Sequence, residues 1–315
     1  MKSGIKVQGE RWFPSEQTFS DEMKDLWGDW YCDSEVGKLR AVLMHRPGEE
    51  IDGVTAENYE TYRFRGVMDP EKARQQQDEL ANIYRAHGVD VYYVENQRKD
   101  RPNAYFMRDL MFMTPEGAIV CRPAIPARRG EEKAVARTLA TLGVPILKTI
   151  NGAGYFEGAS AMWINRDTVV IGTGSRTNEA GAQQVEHELR NIGVSNIIRT
   201  EIPYGSIHLD GYMNMVDTDK MIVFPWHLGY DCAQVLMDQG IELIELTNIE
   251  EIKQGMAINL VAIEPGKVVA PAGCPETRAT LERHGIEVIE VGLDEVMKGW
   301  GAVHCMTAFL KRDPV

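Results

Sequence analysis

The sequence predicts an α/β fold, a five-bladed α/β propeller of ββαβ units with pseudo-fivefold symmetry. Three observations carry this. First, five segments share one grammar of amphipathic helix, glycine, then a strand rich in Val and Ile: ARQQQDELANIYRAHGVDVYYVE, EKAVARTLATLGVPILKTI, AGAQQVEHELRNIGVSNIIRT, AQVLMDQGIELIELT and TRATLERHGIEVIEV. Their glycines, Gly88, Gly143, Gly193, Gly240 and Gly285, are 55, 50, 47 and 45 residues apart. Second, pairs of short strands joined by turns lie between the units, as in SAMWINRDTVVIGTG, GYMNMVDTDKMIVFPW and INLVAIEPGKVVAPAG. Third, LRAVLMHRP (39–47) near one end is a strand without a hairpin partner, and AVHCMTAFLKR near the other is a strand without a following helix.

Each element follows from local chemistry. The glycines suit the left-handed residue that closes a helix before a strand. A repeat period near 50 residues indicates an array or a closed ring. A single doubly wound parallel sheet is the alternative, but it does not require a hairpin in every unit. Pairing the two orphan strands closes the ring around a central channel. Residues 39–315 then form a single α/β propeller domain. Residues 1–38, with Trp12, Trp27, Trp30 and Tyr31, form an N-terminal extension expected to cover one face or to lie at a subunit contact, which leaves a homo-oligomer open.

A net charge of −13 argues against nucleic acid or an anionic membrane as the main partner and is compatible with a small cationic ligand, though many cytosolic proteins are simply acidic. No apolar run is long enough for a membrane span, and the first residues lack a secretion core. Five scattered cysteines without CxxC spacing suggest neither a disulfide framework nor a zinc knuckle, and a cytoplasmic location is expected. GTGSR (172–176) and GAGYFEG (152–158) lack the lysine and spacing of a phosphate loop. No His/Cys/Asp group has the sequence spacing of a metal site.

Polar side chains recur at corresponding places in successive units: Asp109 in FMRD, Glu157 in FEG, His208 and Asp210 in HLD, and Cys305 in VHC. A strand period of two places His208 and Asp210 on one face, and places His304 opposite Cys305 if that stretch is extended. Taken singly, each has an ordinary explanation. Cys32, Cys121, Cys232 and Cys274 read as small buried hydrophobes. His45, His87, His187, His227 and His284 read as structural, and Arg108 could neutralise Asp109. Together, a cysteine and a histidine outline nucleophilic catalysis. Three carboxylates would raise the thiol pKa, which makes sense if the substrate brings a cation that draws out the thiolate. A guanidinium, planar and forked, matches carboxylates.

From about residue 33 to 308 the chain resembles the guanidino-group modifying enzymes, in particular arginine deiminases and dimethylarginine dimethylaminohydrolases, with amidinotransferases more distant. The resemblance rests on SEVGKLRAVLMHRPG (34–48), NAYFMRD (103–109), RPAIPARRGEE (122–132), FEG (156–158), GSRTNEAGA (174–182), IHLD (207–210), APAGCPETR (270–278) and VHCMT (303–307), in family order. It implies the same five-bladed propeller. It implies Cys305 as nucleophile, His208 as general acid/base and Glu157 as the carboxylate beside it. Asp109 and Asp210 would bind the guanidinium. Arg128 and Arg176, assisted by Asn103, would hold a substrate α-carboxylate. The implied activity is cysteine-dependent hydrolysis of arginine or a close derivative, giving citrulline through a thiouronium intermediate, with no metal or organic cofactor. Amidinotransferases tend to have Asp where Glu157 stands, which favours hydrolysis over transfer. Amidino transfer, dihydrolysis to ornithine and a non-catalytic arginine-binding protein are the rival functions. Retention of Cys305, His208 and Glu157 together argues against the last.

Overall fold

The computed structural model describes residues 15–315, so Trp12 lies outside the described residues. Helix α1 (Phe19–Leu26) starts at a reciprocal capping box between Thr18 and Asp21. Strand β1 (Leu39–Met44) leads to α2 (Pro70–Ala86), which Asp69 caps with Pro70 in the first turn, and then to β2 (Asp90–Tyr93). Three similar units follow. They are β3 (Met111–Thr114), β4 (Gly117–Val120), α3 (Glu132–Leu142) and β5 (Ile146–Thr149); β6 (Ala161–Asn165), β7 (Thr168–Thr173), α4 (Glu179–Asn191) and β8 (Asn196–Glu201); and β9 (Met213–Asp217), β10 (Lys220–Val223), α5 (Tyr230–Asp238) and β11 (Glu242–Glu245). After the short α6 (Ile249–Lys253) comes β12 (Val261–Glu264), β13 (Lys267–Pro271), α7 (Pro275–Arg283) and β14 (Glu287–Val291). The chain ends on a helical turn, α8 (Val303–Met306), and β15 (Ala308–Arg312).

These strands make five three-stranded sheets, ordered β15-β1-β2, β3-β4-β5, β6-β7-β8, β9-β10-β11 and β12-β13-β14. In every sheet the first pair is antiparallel and the second parallel across the helix crossover. The two orphan strands pair as expected: β1 and β15 are antiparallel neighbours, with Leu39 opposite Arg312 and Val42 opposite Phe309. Sheet contacts pass from β15 to β3, from β3 to the turn at 158–160, and from there to the turn at 209–211. They continue from β9 to β12 and from β12 back to β1, so the cycle closes.

Burial explains the sequence pattern. β3 and β4 are buried throughout and read as continuous apolar runs. The outer strands β2, β5, β8, β11 and β14 are half-exposed and carry charges such as Lys148, Arg199, Glu242 and Glu287, which discourage edge-to-edge pairing. The five repeat glycines all have positive φ, from 75° at Gly88 to 90° at Gly193. A Cβ at Gly88, Gly193, Gly240 or Gly285 would meet nothing within 4 Å, so the backbone and not crowding requires glycine there.

The N-terminal segment turns inward. Tyr31 bridges to Lys311 on the free edge of β15, with Arg312 N donating to Tyr31 O at 2.7 Å. Residues 32–37 are all buried, whereas α1 is mostly exposed. Among the described residues no helix is long and apolar enough to cross a membrane.

Candidate active site

Every sheet begins just after a short turn, and those turns hold the polar side chains. Asp109 lies in the 3-10 turn Met107–Leu110 before β3. Glu157 and His208 are the extended residues that open the turns Gly158–Ser160 and Leu209–Gly211, and Asp210 lies within the latter. Cys305 lies on α8. HLD and VHC are therefore turns and not strands, which corrects the period-two argument for His208 and Asp210. The tightness of these turns has a sequence cause. At Gly158 a Cβ would come within 2.3 Å of Arg108 O and 2.4 Å of Met111 O, so only glycine lets the second turn nest against the first.

The fifth sheet contributes Asn259, two residues before β12, which sequence reasoning missed. Its Nδ2 donates to Cys305 Sγ at 3.0 Å. Its Oδ1 accepts from Ala302 N at 3.0 Å and Cys305 N at 3.1 Å. The repeat held the clue: INL (258–260) stands in the fifth unit where FMRD, FEG, HLD and VHC stand in the others. On the other side of the thiol, Asp210 Oδ2 is 3.4 Å from Cys305 Sγ and 2.8 Å from His304 Nδ1. His304, adjacent to the cysteine in sequence, thus holds the carboxylate beside it.

A second cluster faces the first. His208 Nε2 is 2.7 Å from Glu157 Oε2, and His208 Nδ1 is 3.5 Å from Asp109 Oδ1. Glu157 also accepts from Ala124 N at 3.0 Å and from Arg176 Nη1 at 3.2 Å. Arg128, not Arg108, neutralises Asp109: its Nη1 bonds Asp109 Oδ2 and its Nε bonds Glu131 at 3.0 Å. Arg108 instead points to Glu35, at 2.7 Å. Asn103 donates to Tyr62 O at 2.9 Å. Asp109 Oδ1 is buried and has no hydrogen-bond partner among the described residues.

Asn103, Asp109, Arg128, Arg176, His208 and Cys305 line one cavity of about 880 Å³, and Glu157 is buried behind His208. Asp210 lines a small recess that shares His208 and Cys305 with it. All eight residues expected from the sequence therefore converge. Asp109, Glu157 and His208 each place a ligand atom within 4.8 Å of the others, geometry that could hold a cation. Arg128 and Arg176 already bond the two carboxylates of that cluster.

The electrostatics fit a resting thiol. Burial, with Asp210 and Asp109 adding, pushes the Cys305 pKa well up, while the Asn259 N–H partly offsets this. Burial opposes a charge on His208, but Asp109 and Glu157 outweigh it and raise its pKa. Burial acts against Glu157 ionisation, yet His208 and Arg176 hold its pKa below the usual range. Asp210 is lowered likewise, against burial, by His304. Burial carries the Glu131 pKa up to about 8 despite Arg128. The cavity thus sets carboxylates and an imidazolium around a protonated nucleophile, and a cationic ligand would shift that balance towards thiolate.

This fold and this set of groups are those of the guanidino-group modifying superfamily. A family model described as "N,N dimethylarginine dimethylhydrolase, eukaryotic" matches residues 61–312, and the chain belongs to that family. It is 23% identical to the arginine deiminase of Rhodococcus erythropolis, over 90% of this chain and 97% of that one. Dimethylarginine dimethylaminohydrolase from Pseudomonas aeruginosa, solved with citrulline, superposes with TM-score 0.71 at 25% identity, over 87% of this chain and all of that one. A saxitoxin-pathway amidinotransferase from Microseira wollei gives TM-score 0.75 at 14% identity, over 91% of this chain and 98% of that one.

Proposed function

We propose that this hydrolase of C–N bonds in linear amidines acts on the guanidinium of arginine or a close arginine derivative, through a covalent thiouronium on Cys305. The five sheets are the blades of one pseudo-fivefold propeller, with the site at its axis. The observation that carries the proposal is the buried Asp109 Oδ1, which accepts no hydrogen bond among the described residues and has His208 Nδ1 nearby at 3.5 Å, on a residue that lines the same cavity as Cys305 and His208. A buried carboxylate oxygen without a donor is costly, and a guanidinium N–H supplies one.

In this reading Asp109 and Asp210 hold the guanidinium with its central carbon over Cys305. The thiol proton leaves to solvent as the cation enters. The thiolate adds to the carbon, and the imidazolium of His208 gives its proton to the departing nitrogen as that C–N bond breaks. Water then attacks the thiouronium and loses a proton to His208. The adduct's hydroxyl gives its proton to solvent as the C–S bond breaks, the thiolate returns, and the ureido product is released. Arginine and water give citrulline and ammonia. Splitting the hydrolysis in two is the nucleophile's contribution, and fixed carboxylates supply positioning and field. Glu157 holds the His208 ring and favours its protonated form. Arg176 and Arg128, with Asn103 beside them, take the α-carboxylate. Arg128 does so by exchanging one of its present carboxylate partners for the substrate's. Five unpaired cysteines support a reducing, cytoplasmic setting.

The test is incubation with arginine, methylated arginines, agmatine and amine acceptors, with product identification. Citrulline with ammonia or a methylamine is expected. Transfer of an amidino group to an amine, or turnover of none of these guanidines, would overturn the proposal.

A further inference from the structure

We propose that Glu35 and His304 are positioning residues of this site. They belong to a buried chain, Asp210–His304–Glu35–Arg108, that keeps the Asp210 carboxylate ionised and facing Cys305. The proposal rests on reading Asp210 as the carboxylate that receives a guanidinium beside the nucleophile. Glu35 comes from the N-terminal segment, outside residues 61–312 of the family match.

The geometry is continuous. Asp210 Oδ2 is 2.8 Å from His304 Nδ1, and His304 Nε2 is 3.3 Å from Glu35 Oε2. Glu35 Oε1 accepts from Arg108 Nη2 at 2.7 Å and from Trp163 N at 3.4 Å. All four side chains are at most 3% exposed. A carboxylate this deep would take up a proton, and a neutral Asp210 could not hold a cation. Imidazolium at His304 prevents that, but a buried imidazolium beside Arg108 needs a second anion. Glu35 supplies it, and Arg108 keeps Glu35 ionised. Charge therefore alternates along the chain, each member compensated by its neighbours. The same Asp210 oxygen contacts the thiol and His304, so turning the carboxylate away from His304 also turns it from Cys305.

Glu35→Gln is the cleanest perturbation, because it keeps size and an acceptor for Arg108 and removes only charge. The groups that face His304 are Asp210, Glu35 and Arg108, with Cys305 next in the chain and Arg312 beyond Glu35. Asp210 and Glu35 raise the His304 pKa against burial and Arg108. Activity that needs the imidazolium is present below that pKa and lost above it. Removing Glu35 lowers the pKa, so the alkaline fall of kcat/KM should begin at lower pH. At neutral pH a loss of roughly 10- to 100-fold is expected, the scale of a hydrogen bond to a charged group.

A second readout needs no substrate: the rate of iodoacetamide alkylation at the Cys305 peptide as pH rises. At the alkaline pH where the thiol ionises, Asp210 is a carboxylate in both proteins, and without the imidazolium its charge opposes the thiolate more strongly. The thiolate should therefore form at higher pH in Glu35→Gln than in the wild type, and Glu35→Asp should return part of the way. Melting temperature is recorded alongside. If both pH profiles keep their wild-type midpoints, the chain is packing only and the proposal falls, whatever the loss in rate. If the wild type turns over no arginine, the substrate reading fails, and the alkylation midpoints still decide the relay. If Glu35→Gln does not fold, His304→Gln is examined in the same way. A raised alkylation midpoint supports the proposal, and an unchanged one overturns it.

Discussion

Replacing Asn259 separates two jobs that one amide performs. Its Oδ1 satisfies the backbone N–H groups of Ala302 and Cys305, while its Nδ2 is, among the described residues, the only side-chain donor to the Cys305 sulfur. Asn259→Ala leaves both buried N–H groups unpaired, at about 1–3 kcal/mol each. The sum, about 2–6 kcal/mol, corresponds to a melting point lower by roughly 4–12 °C at ~2 °C per kcal/mol. Asn259→Asp keeps the acceptor and so should melt within a few degrees of the wild type. It also trades the donor for a negative charge beside the sulfur. A donor to a charged group contributes about 1.5–3 kcal/mol, so the thiolate should form at least ~1 pH unit higher. Arginine turnover at neutral pH should fall by ~10-fold or more. Calorimetry, Cys305 alkylation against pH and citrulline release measure the three effects. If Asn259→Asp kept wild-type turnover, or its alkylation midpoint moved down, the role given to the amide would be wrong.

Cys305→Ser should remove turnover in a folded protein, while Cys274→Ser, buried away from the cavity, should leave kcat/KM within ~2-fold, a change of about 0.4 kcal/mol; full activity in the first would end the covalent mechanism. Arg176→Ala should weaken arginine use by about 30-fold to several thousand-fold, the cost of unpairing a buried charge, and agmatine should be a poor wild-type substrate. Equal use of agmatine and arginine would refute the carboxylate role. The His208–Glu157 pair should show in stability against pH. The raised His208 pKa gives stability that is full below about 6.5 and lost as pH rises through the raised value. The lowered Glu157 pKa gives stability that is full above about 4.5 and lost as pH falls through its folded value. A melting-point profile should therefore slope down on the alkaline side, and His208→Gln should flatten that slope. Gly193→Ala, at φ 90°, should destabilise by about 1–2 kcal/mol, which thermal melting would detect.

The sheets were legible because their signals are local: helix periodicity, a glycine with forced φ, and hairpin turns. Pairing of the end strands followed from counting which strands lacked partners. The site was legible where residue type alone narrows chemistry, as at Cys305, His208 and the carboxylates. Asn259 was not, because an asparagine in a turn has many ordinary explanations and its meaning lies in three atoms it meets across the molecule. His304 was judged from an extended backbone that the helical turn does not have. Glu35 was hidden for a different reason: it lies in an expected cover, and nothing local says that residues 32–37 run inward. The partners of Arg108 and Arg128 were likewise beyond reach, since adjacency in sequence suggested the wrong pair.

The joining of β1 to β15 also governs when the site can exist. Arg40 and Asp313, ion-paired across that junction, are 273 residues apart in the chain. Contacts so distant in sequence form slowly, because the loop entropy is lost before the contact is gained. The nucleophile stands three residues before the closing strand, on the turn that feeds it. Four sheets can assemble from neighbouring segments and still present no complete thiol environment, since Cys305 takes its place only as the last strand docks. During refolding, secondary structure should thus return before reactivity. The interval between them measures the docking of a single strand.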